Sequence, residues 1–410
     1  MRFAPALLLC GATAAVMAAA TPALAESAEA QLRRALDTVA EGRLNAALDD
    51  LDRLIERHPN FRLAHLVRGD LLLARARPLD GLGNTGHAAP DKLAELRAEA
   101  LARLQAIREA PPQGMVPRHL LLLDAAQVHA IVVDASRSRV YVYENRRGQL
   151  QLVADYYTTL GKRGIDKLRE GDQKTPLGVY HVTAMIPGAK LPDLYGWGAF
   201  PINYPNDWDR RAGKTGYGIW LHGVPRENYA RAPRASDGCI ALANDEIADL
   251  AKRVRPGATP VVIAERVEWV TPEQLRAERE RFMRQLEAWR TDWESRDTER
   301  YLSHYARDFR VGPTDLAAWS AHKQRVNAAK NWIKVGLSNV SVLRTAERGG
   351  VIEVTFDQDY RSNNLLQRAR KRQYWVEEGG GWKIAYENTL GGQKLRLPES
   401  FKSATKGARS

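Results

Sequence analysis

Hydrophobic positions along this chain change their spacing several times, and each change marks a boundary. From Ala4 to Ala20 the sequence is an apolar run behind Arg2, closed by Ala23-Leu24-Ala25. That pattern predicts a cleaved secretion signal over residues 1–25. The run is short of the roughly 20 apolar residues a membrane span needs, and Gly11, Thr13 and Pro22 interrupt the region. Residues 26–118 carry a helical period. Leu44, Leu48, Leu51 and Ile55 fall on one face, His58-Pro59-Asn60 breaks the stripe, and Leu63, Leu66, Asp70 and Leu73 resume it. Gly42 and Pro59 at the turns give a tetratricopeptide-like unit, although any small helical hairpin reads the same way. A Pro/Gly-rich loop spans 78–90, Leu93, Leu96, Ala100, Leu104 and Ile107 form a further stripe, and Pro111, Pro112, Gly114 and Pro117 mark a linker.

From about residue 128 the period becomes two. Ala130–Val133, Arg139–Tyr143, Leu150–Tyr157, Val179–Ala184 and Val261–Ala264 read as short strands of a mostly-β sandwich or barrel over 128–265. A third region, 271–395, opens at Thr271-Pro272, an N-cap followed by proline at the first helical position. Phe282, Leu286, Trp289 and Trp293 then repeat at helical spacing, and a shorter helix is expected to carry Tyr301, Tyr305 and Phe309. At that spacing the Trp/Tyr stripe reads as core rather than as a ligand pocket. Strands are expected at 339–345, 351–360, 370–377 and 382–388, giving an α+β cone and a multidomain α+β chain overall.

Length and charge refine the picture without deciding it. A chain of 410 residues needs two or three domains. Its net charge of +12 is concentrated at the end, where residues 361–410 hold eleven Lys/Arg against four Glu and finish in a basic tail, 396–410. A basic, exported chain fits either an anionic envelope surface or a simply solvated face; export argues against nucleic acid. The histidines His58, His65, His87 and His119 lack ligand spacing, so neither metal nor cofactor is expected.

Cysteine usage is more telling. Of two cysteines, Cys10 lies in the expected signal, leaving Cys239 with no disulfide partner. A lone thiol with a nearby histidine suggests a nucleophile and its base. His222 ends the apolar run Gly218-Ile219-Trp220-Leu221 and precedes Gly223, while Gly238 precedes Cys239. Glycines at both places let a substrate carbonyl approach the backbone closely.

The stretch from His222-Gly223 to Ser236-Asp237-Gly238-Cys239-Ile240 resembles the signature of the L,D-transpeptidase (YkuD-type) family. Upstream, Gly171-Asp172-Gln173-Lys174-Thr175-Pro176-Leu177-Gly178-Val179-Tyr180 is similar to that family's turn-and-strand motif. The resemblance implies Cys239 as nucleophile and His222 as base. It also implies backbone N–H groups around Gly238 as the oxyanion site, with Ser236 and Gly223 in support. The implied substrate is a peptidoglycan stem peptide, cut between meso-diaminopimelate and D-alanine through a thioester. Trp220 and Tyr204, the latter in Pro201-Ile202-Asn203-Tyr204-Pro205, are expected to face the substrate. Arg226, Arg231 or Arg234 would hold its carboxylate, because Ala241 stands where the family has a polar or basic residue. Asp237 replaces the family's usual histidine; it either orients His222 as a third triad member or caps a turn.

Residues 271–395 resemble a nuclear transport factor 2-like domain, without a nucleophile or metal set. The leading expectation is an exported, periplasmic enzyme making L,D cross-links, one that influences cell shape. An L,D-carboxypeptidase acting through the same site, or a non-catalytic wall-binding scaffold, are the alternatives. The terminal domains are expected to supply a surface for dimerisation, substrate docking or an envelope partner.

Overall fold

The computed structural model describes residues 27–84, 89–345 and 349–395. The expected signal, the basic tail at 396–410 and His87 lie outside the described residues. No described helix is long and apolar enough to cross a membrane.

The N-terminal region is four helices: α1 (Ala28–Ala40), α2 (Leu44–Arg57), α3 (Arg62–Ala74) and α4 (Pro90–Arg108). Leu32, Leu48, Leu51, Leu54, Phe61, Leu63 and Val67 form their shared core. On α3 the buried face is Leu63, Ala64, Val67, Asp70 and Leu71, about one residue round from the expected stripe. Asp70 is drawn inside because its carboxylate accepts the N–H groups of Gly83 and Asn84. The stripe expected on α4 is corrected further: Leu104 is exposed, and the fully buried side chains are Glu99 and Arg103. This helix packs on the β-rich domain through charge. Arg103 bonds Glu99 at 2.9 Å and pairs with Glu29, which also receives Arg139 at 2.9 Å.

The β-rich domain holds β1 (His129–Asp134), β2 (Arg139–Arg146), β3 (Gln149–Tyr157), β4 (Leu160–Gly161), β5 (Gly178–His181) and β6 (Ile186–Pro187). β7 (Gly198–Pro201), β8 (Trp220–His222), β9 (Arg234–Ser236), β10 (Ile240–Ala241) and β11 (Pro260–Ala264) follow. Five strands form one sheet in the order β3-β2-β1-β11-β5, with β1 and β11 parallel. A second sheet runs β10-β8-β7-β6, and β4 pairs separately with β9. Ile131, Val133, Val140 and Val142 of the first sheet meet Phe200, Leu221 and Ile240 of the second. Two helices belong to this domain, α5 (Asp207–Arg211) and α6 (Asn244–Ala251), and α6 closes that core with Ile247 and Leu250. The opposite face of the first sheet, Val132, Tyr141, Tyr143 and Val262, is covered by Leu120, Leu123, Val267 and Leu343. Cover on both faces explains why β1 is an unbroken apolar run rather than an alternating one.

In the C-terminal domain α7 (Pro272–Ser295) starts from a capping box between Thr271 and Gln274. Helices α8 (Thr298–Leu302) and α9 (Leu316–Ala328) follow, then β12 (Ile333–Arg344), β13 (Val351–Ser362), β14 (Leu365–Glu378) and β15 (Gly381–Leu395) in sequential antiparallel order. Phe282, Leu286, Trp289 and Trp293 pack on Phe356, Trp375 and Ile384, so the aromatic stripe is core. The second helix stops at Leu302, short of Tyr305 and Phe309, because the chain beyond it joins the sheet: Ile384 N–H donates to His304 O and Ala306 N–H to Ile384 O. The expected linker is also corrected. Val116–Pro117 pair with Trp269–Val270, and Leu122 exchanges both backbone bonds with Val342 on the edge of the C-terminal sheet. Residues after 115 thus splice the β-rich and C-terminal domains. The seam is polar elsewhere, with His181 on Glu353 at 2.8 Å, Tyr374 on Glu353 at 2.8 Å, and Trp208 stacked on Tyr374.

Candidate active site

Parallel pairing of β8 with β10 sets the site. Ile240 lies opposite Leu221 and Ala241 opposite His222. Leu221 and Ile240 point into the core, which puts Trp220 and His222 on the other face, beside the turn that carries Cys239. The Cys239 thiol donates to Gly218 O at 3.3 Å. Burial pushes it up to about 11, with the nearby Asp237 carboxylate adding to that, while the Trp220 backbone N–H and the charges of Lys167 and Arg231 oppose it. His222 is buried; burial, helped by the Arg231 charge, brings it down to about 4. Burial thus favours the neutral form of both the thiol and the imidazole. The His222 Nδ1–H donates to Gly223 O at 2.5 Å, which fixes the tautomer and leaves Nε2 as the free base.

The nucleophile turn is built by side chains from both motifs. Ser236 Oγ donates to Cys239 O at 2.6 Å and accepts from Gly238 N–H at 3.1 Å. Thr175 Oγ1 donates to Gly238 O at 3.0 Å and accepts from Gly161 N–H at 2.9 Å. Gly238 has φ +124, and a Cβ there would meet Lys174 O at 2.6 Å, so only glycine fits. Asp172 organises the upstream loop by accepting from Leu168, Arg169 and Lys174 backbone N–H groups and from Lys167 Nζ at 2.7 Å. Its burial alone would raise the carboxyl; those donors hold it down at about 2.

Several expected roles are redistributed. Asp237 does not orient His222: its carboxylate is 77% exposed and pairs with Lys162 at 2.8 Å and Gln173 at 3.3 Å, while Gly223 O takes the imidazole N–H. The Gly238 N–H, expected at the oxyanion site, is already committed to Ser236. Tyr204 does not face the substrate; it is buried in the sandwich core, its hydroxyl donating to Thr215 O and Lys167 O. Arg234 turns to Ala135 O, and Arg226 lies exposed against Asp193. Arg231 is the arginine whose charge reaches both Cys239 and His222. Trp220 is half-buried at the site, stacked obliquely on Tyr195 at 5.0 Å.

Tyr195 was not anticipated. Its ring also meets His222 edge-on at 5.0 Å. Asn244 holds that loop in place, accepting from Trp197 N–H at 2.8 Å and donating to Val224 O at 2.9 Å. Gly223 is small because Asn244 Oδ1 would lie 2.2 Å from a Cβ there. The available signal was the aromatic pair around Gly196 between two strands.

Residues 128–263 match the L,D-transpeptidase catalytic domain (YkuD) model, and residues 281–388 match the Cds6 C-terminal NTF2-like domain. Bd1075 of Bdellovibrio bacteriovorus is 30% identical, with 69% of this chain and 100% of that chain covered and a TM-score of 0.60. The chain belongs to the L,D-transpeptidase (YkuD) family. The chain is also similar to the helical cell shape determining protein Pgp2 of Campylobacter jejuni, at 26% identity over 64% of this chain and 91% of that one, with a TM-score of 0.56. No curated protein matches the sequence. The family match spans both motifs that meet at Cys239, and the C-terminal match confirms the α+β cone as NTF2-like.

Proposed function

We propose that this chain is a peptidoglycan L,D-acyltransferase working through a Cys239 thioester. The observation that carries the reading is the half-buried Cys239 thiol just before one strand and the buried, tautomer-fixed His222 imidazole at the end of its parallel neighbour. As Sγ attacks the carbonyl between meso-diaminopimelate and D-alanine, its proton passes to His222 Nε2. His222 then protonates the departing D-alanine amine, which leaves the acyl group on sulfur. With Gly238 N–H committed to Ser236, the oxyanion falls to the Cys239 N–H and the adjacent backbone. Arg231 is positioned to hold a substrate carboxylate, and Trp220 with Tyr195 offers an apolar wall. An acceptor amine from a second stem completes cross-linking; water in its place makes the same chemistry an L,D-carboxypeptidase. Export to the periplasm and a peptidoglycan partner follow from this reading.

Incubating the purified chain with disaccharide tetrapeptides and weighing the products by mass spectrometry tests it. Cross-linked dimers are expected for transpeptidation and tripeptides alone for carboxypeptidation. Unchanged tetrapeptide with wild-type protein would overturn both, and leave a wall-binding scaffold.

A further inference from the structure

The loop between base and nucleophile is held by the helical region. Asn60 Nδ2 donates to Arg226 O at 3.0 Å, Tyr229 N–H donates to Asn60 O, and the Tyr229 ring stacks on Phe61 at 4.2 Å. Further in, the buried Arg103 guanidinium of α4 sits 4.0 Å over the Tyr157 ring, and Tyr157 OH donates to Arg231 O at 2.9 Å. Thr159 Oγ1 donates to the same carbonyl at 3.1 Å. The helices therefore brace the one arginine that acts electrostatically on both Cys239 and His222.

Between this loop and helices α3 and α4 lies a cavity of about 390 Å³. Its walls carry Arg62, Lys92 and Arg231 against Glu95, Glu99 and Glu227, with Phe61, Leu96 and Ala232 as the apolar lining. Among the described residues Arg231 has no carboxylate partner; its Nη2 donates only to Ala235 O. A half-buried guanidinium without a counter-ion is costly unless a ligand supplies one. Glu99 bonds Arg103 and is pushed up to about 8 by burial, and Lys92 pairs with Glu95 at 3.2 Å, so Arg62 and Arg231 face Glu227 as the remaining charges, a mixed set that suits neither a polyanion nor an apolar lipid chain.

We propose that this cavity is a substrate subsite shared by the helical and catalytic regions, taking a peptide segment that carries both a carboxylate and an ammonium group. It rests on the stem-peptide reading above, and assigns Arg231 to the carboxylate and Glu227 to the ammonium. The helical region is then a wall of the binding site.

The test is binding, so that it stands apart from turnover. Disaccharide tetrapeptide is titrated calorimetrically into full-length Cys239→Ala protein and into the same protein carrying Leu96→Trp, which fills the cavity. Ala232→Trp, from the opposite wall, serves if the first variant does not fold. The filled cavity is expected to weaken binding at least tenfold, and amidation of the diaminopimelate carboxylate to weaken it at least fivefold only while the cavity is open. Equal affinity in open and filled proteins, or no binding to the open protein, overturns the subsite. Normal binding here, with tetrapeptide left unchanged by wild-type protein in the mass-spectrometric assay, would instead count against the catalytic reading alone.

Discussion

The resting charge state of the dyad can be tested by pH. His222 is brought down to about 4 from an ordinary 6.5, first by burial and then by the Arg231 charge. The base form of a lowered histidine is present above its folded pKa, so the acid limb of the reaction should lie near pH 4. At pH 5 an ordinary imidazole is only about 3% neutral, whereas His222 should be about 90% neutral, a difference in rate of roughly thirtyfold. The assay is the second-order rate at which a carbapenem acylates Cys239, followed by mass or by loss of the drug's absorbance, with circular dichroism confirming the fold at each pH. The rate should be nearly flat from pH 7 to 5 and rise again on the alkaline side as the thiol, held up at about 11, begins to ionise by itself. Arg231→Met should move both limbs upward, because that cation disfavours protonated His222 and favours the thiolate. A half-point near 6.5 in the wild type, or limbs unmoved in Arg231→Met, would refute the neutral-pair description.

Three further outcomes are expected. Ser236→Ala removes bonds to Cys239 O and Gly238 N–H; urea unfolding should show a loss of about 2 kcal/mol, and acylation should slow at least tenfold. Gly238→Ala would force a Cβ to 2.6 Å from Lys174 O at φ +124; acylation should disappear in a protein that still titrates one thiol after unfolding. Glu353→Ala strips the partner from His181, Arg372 and Tyr374 at the domain seam and should cost about 3–5 kcal/mol in denaturant. Burial alone would raise that carboxyl, but Arg372 and His181 hold it at about 2, below the ordinary 4.5. Its contribution is therefore full above the ordinary range and is lost as pH falls towards 2, so the gap between wild type and Glu353→Ala should narrow in acid.

How far the sequence could be read depended on what each side chain packs against. Period-two runs located β1, β3 and β11 within a residue and β2 three residues short of its end at Arg146; β1 and β11 were legible because they are buried along nearly their whole length. The aromatic stripe on α7 was legible for the same reason. Helix α4 was not: its buried positions are Glu99 and Arg103, which solve a charge problem posed by Glu29 and Arg139, distant in sequence. Cys239 and His222 were legible as a pair through the glycines beside them, and Ser236 through its motif. Tyr204 was misplaced because an aromatic after a strand reads alike whether it turns to the core or the cleft; here its hydroxyl finds Thr215 O and it turns inward. Tyr195 and Asn244 reach the site from elements whose approach only the fold determines.

The aspartate beside the nucleophile is the hardest departure to rationalise from sequence, and its surroundings explain why it can be accommodated. A carboxylate two residues before a cysteine opposes thiolate formation, and Asp237 does add to the pressure that keeps Cys239 protonated. Its influence is limited in two ways. It projects into solvent, where its field is screened, and Lys162 at 2.8 Å with Gln173 at 3.3 Å draws it away from His222. The larger obstacle is burial, which is the first cause of the raised thiol and of the lowered imidazole alike. A pair separated in that order disfavours a preformed thiolate–imidazolium couple, so in the proposed reaction the proton would move as the carbon–sulfur bond forms, when charge passes on to the carbonyl oxygen. A protonated thiol is also slow to oxidise, since the thiolate is the reactive form. On the proposed function, the burial that keeps the Cys239 thiol protonated would preserve it until a substrate carbonyl is in place to receive the charge.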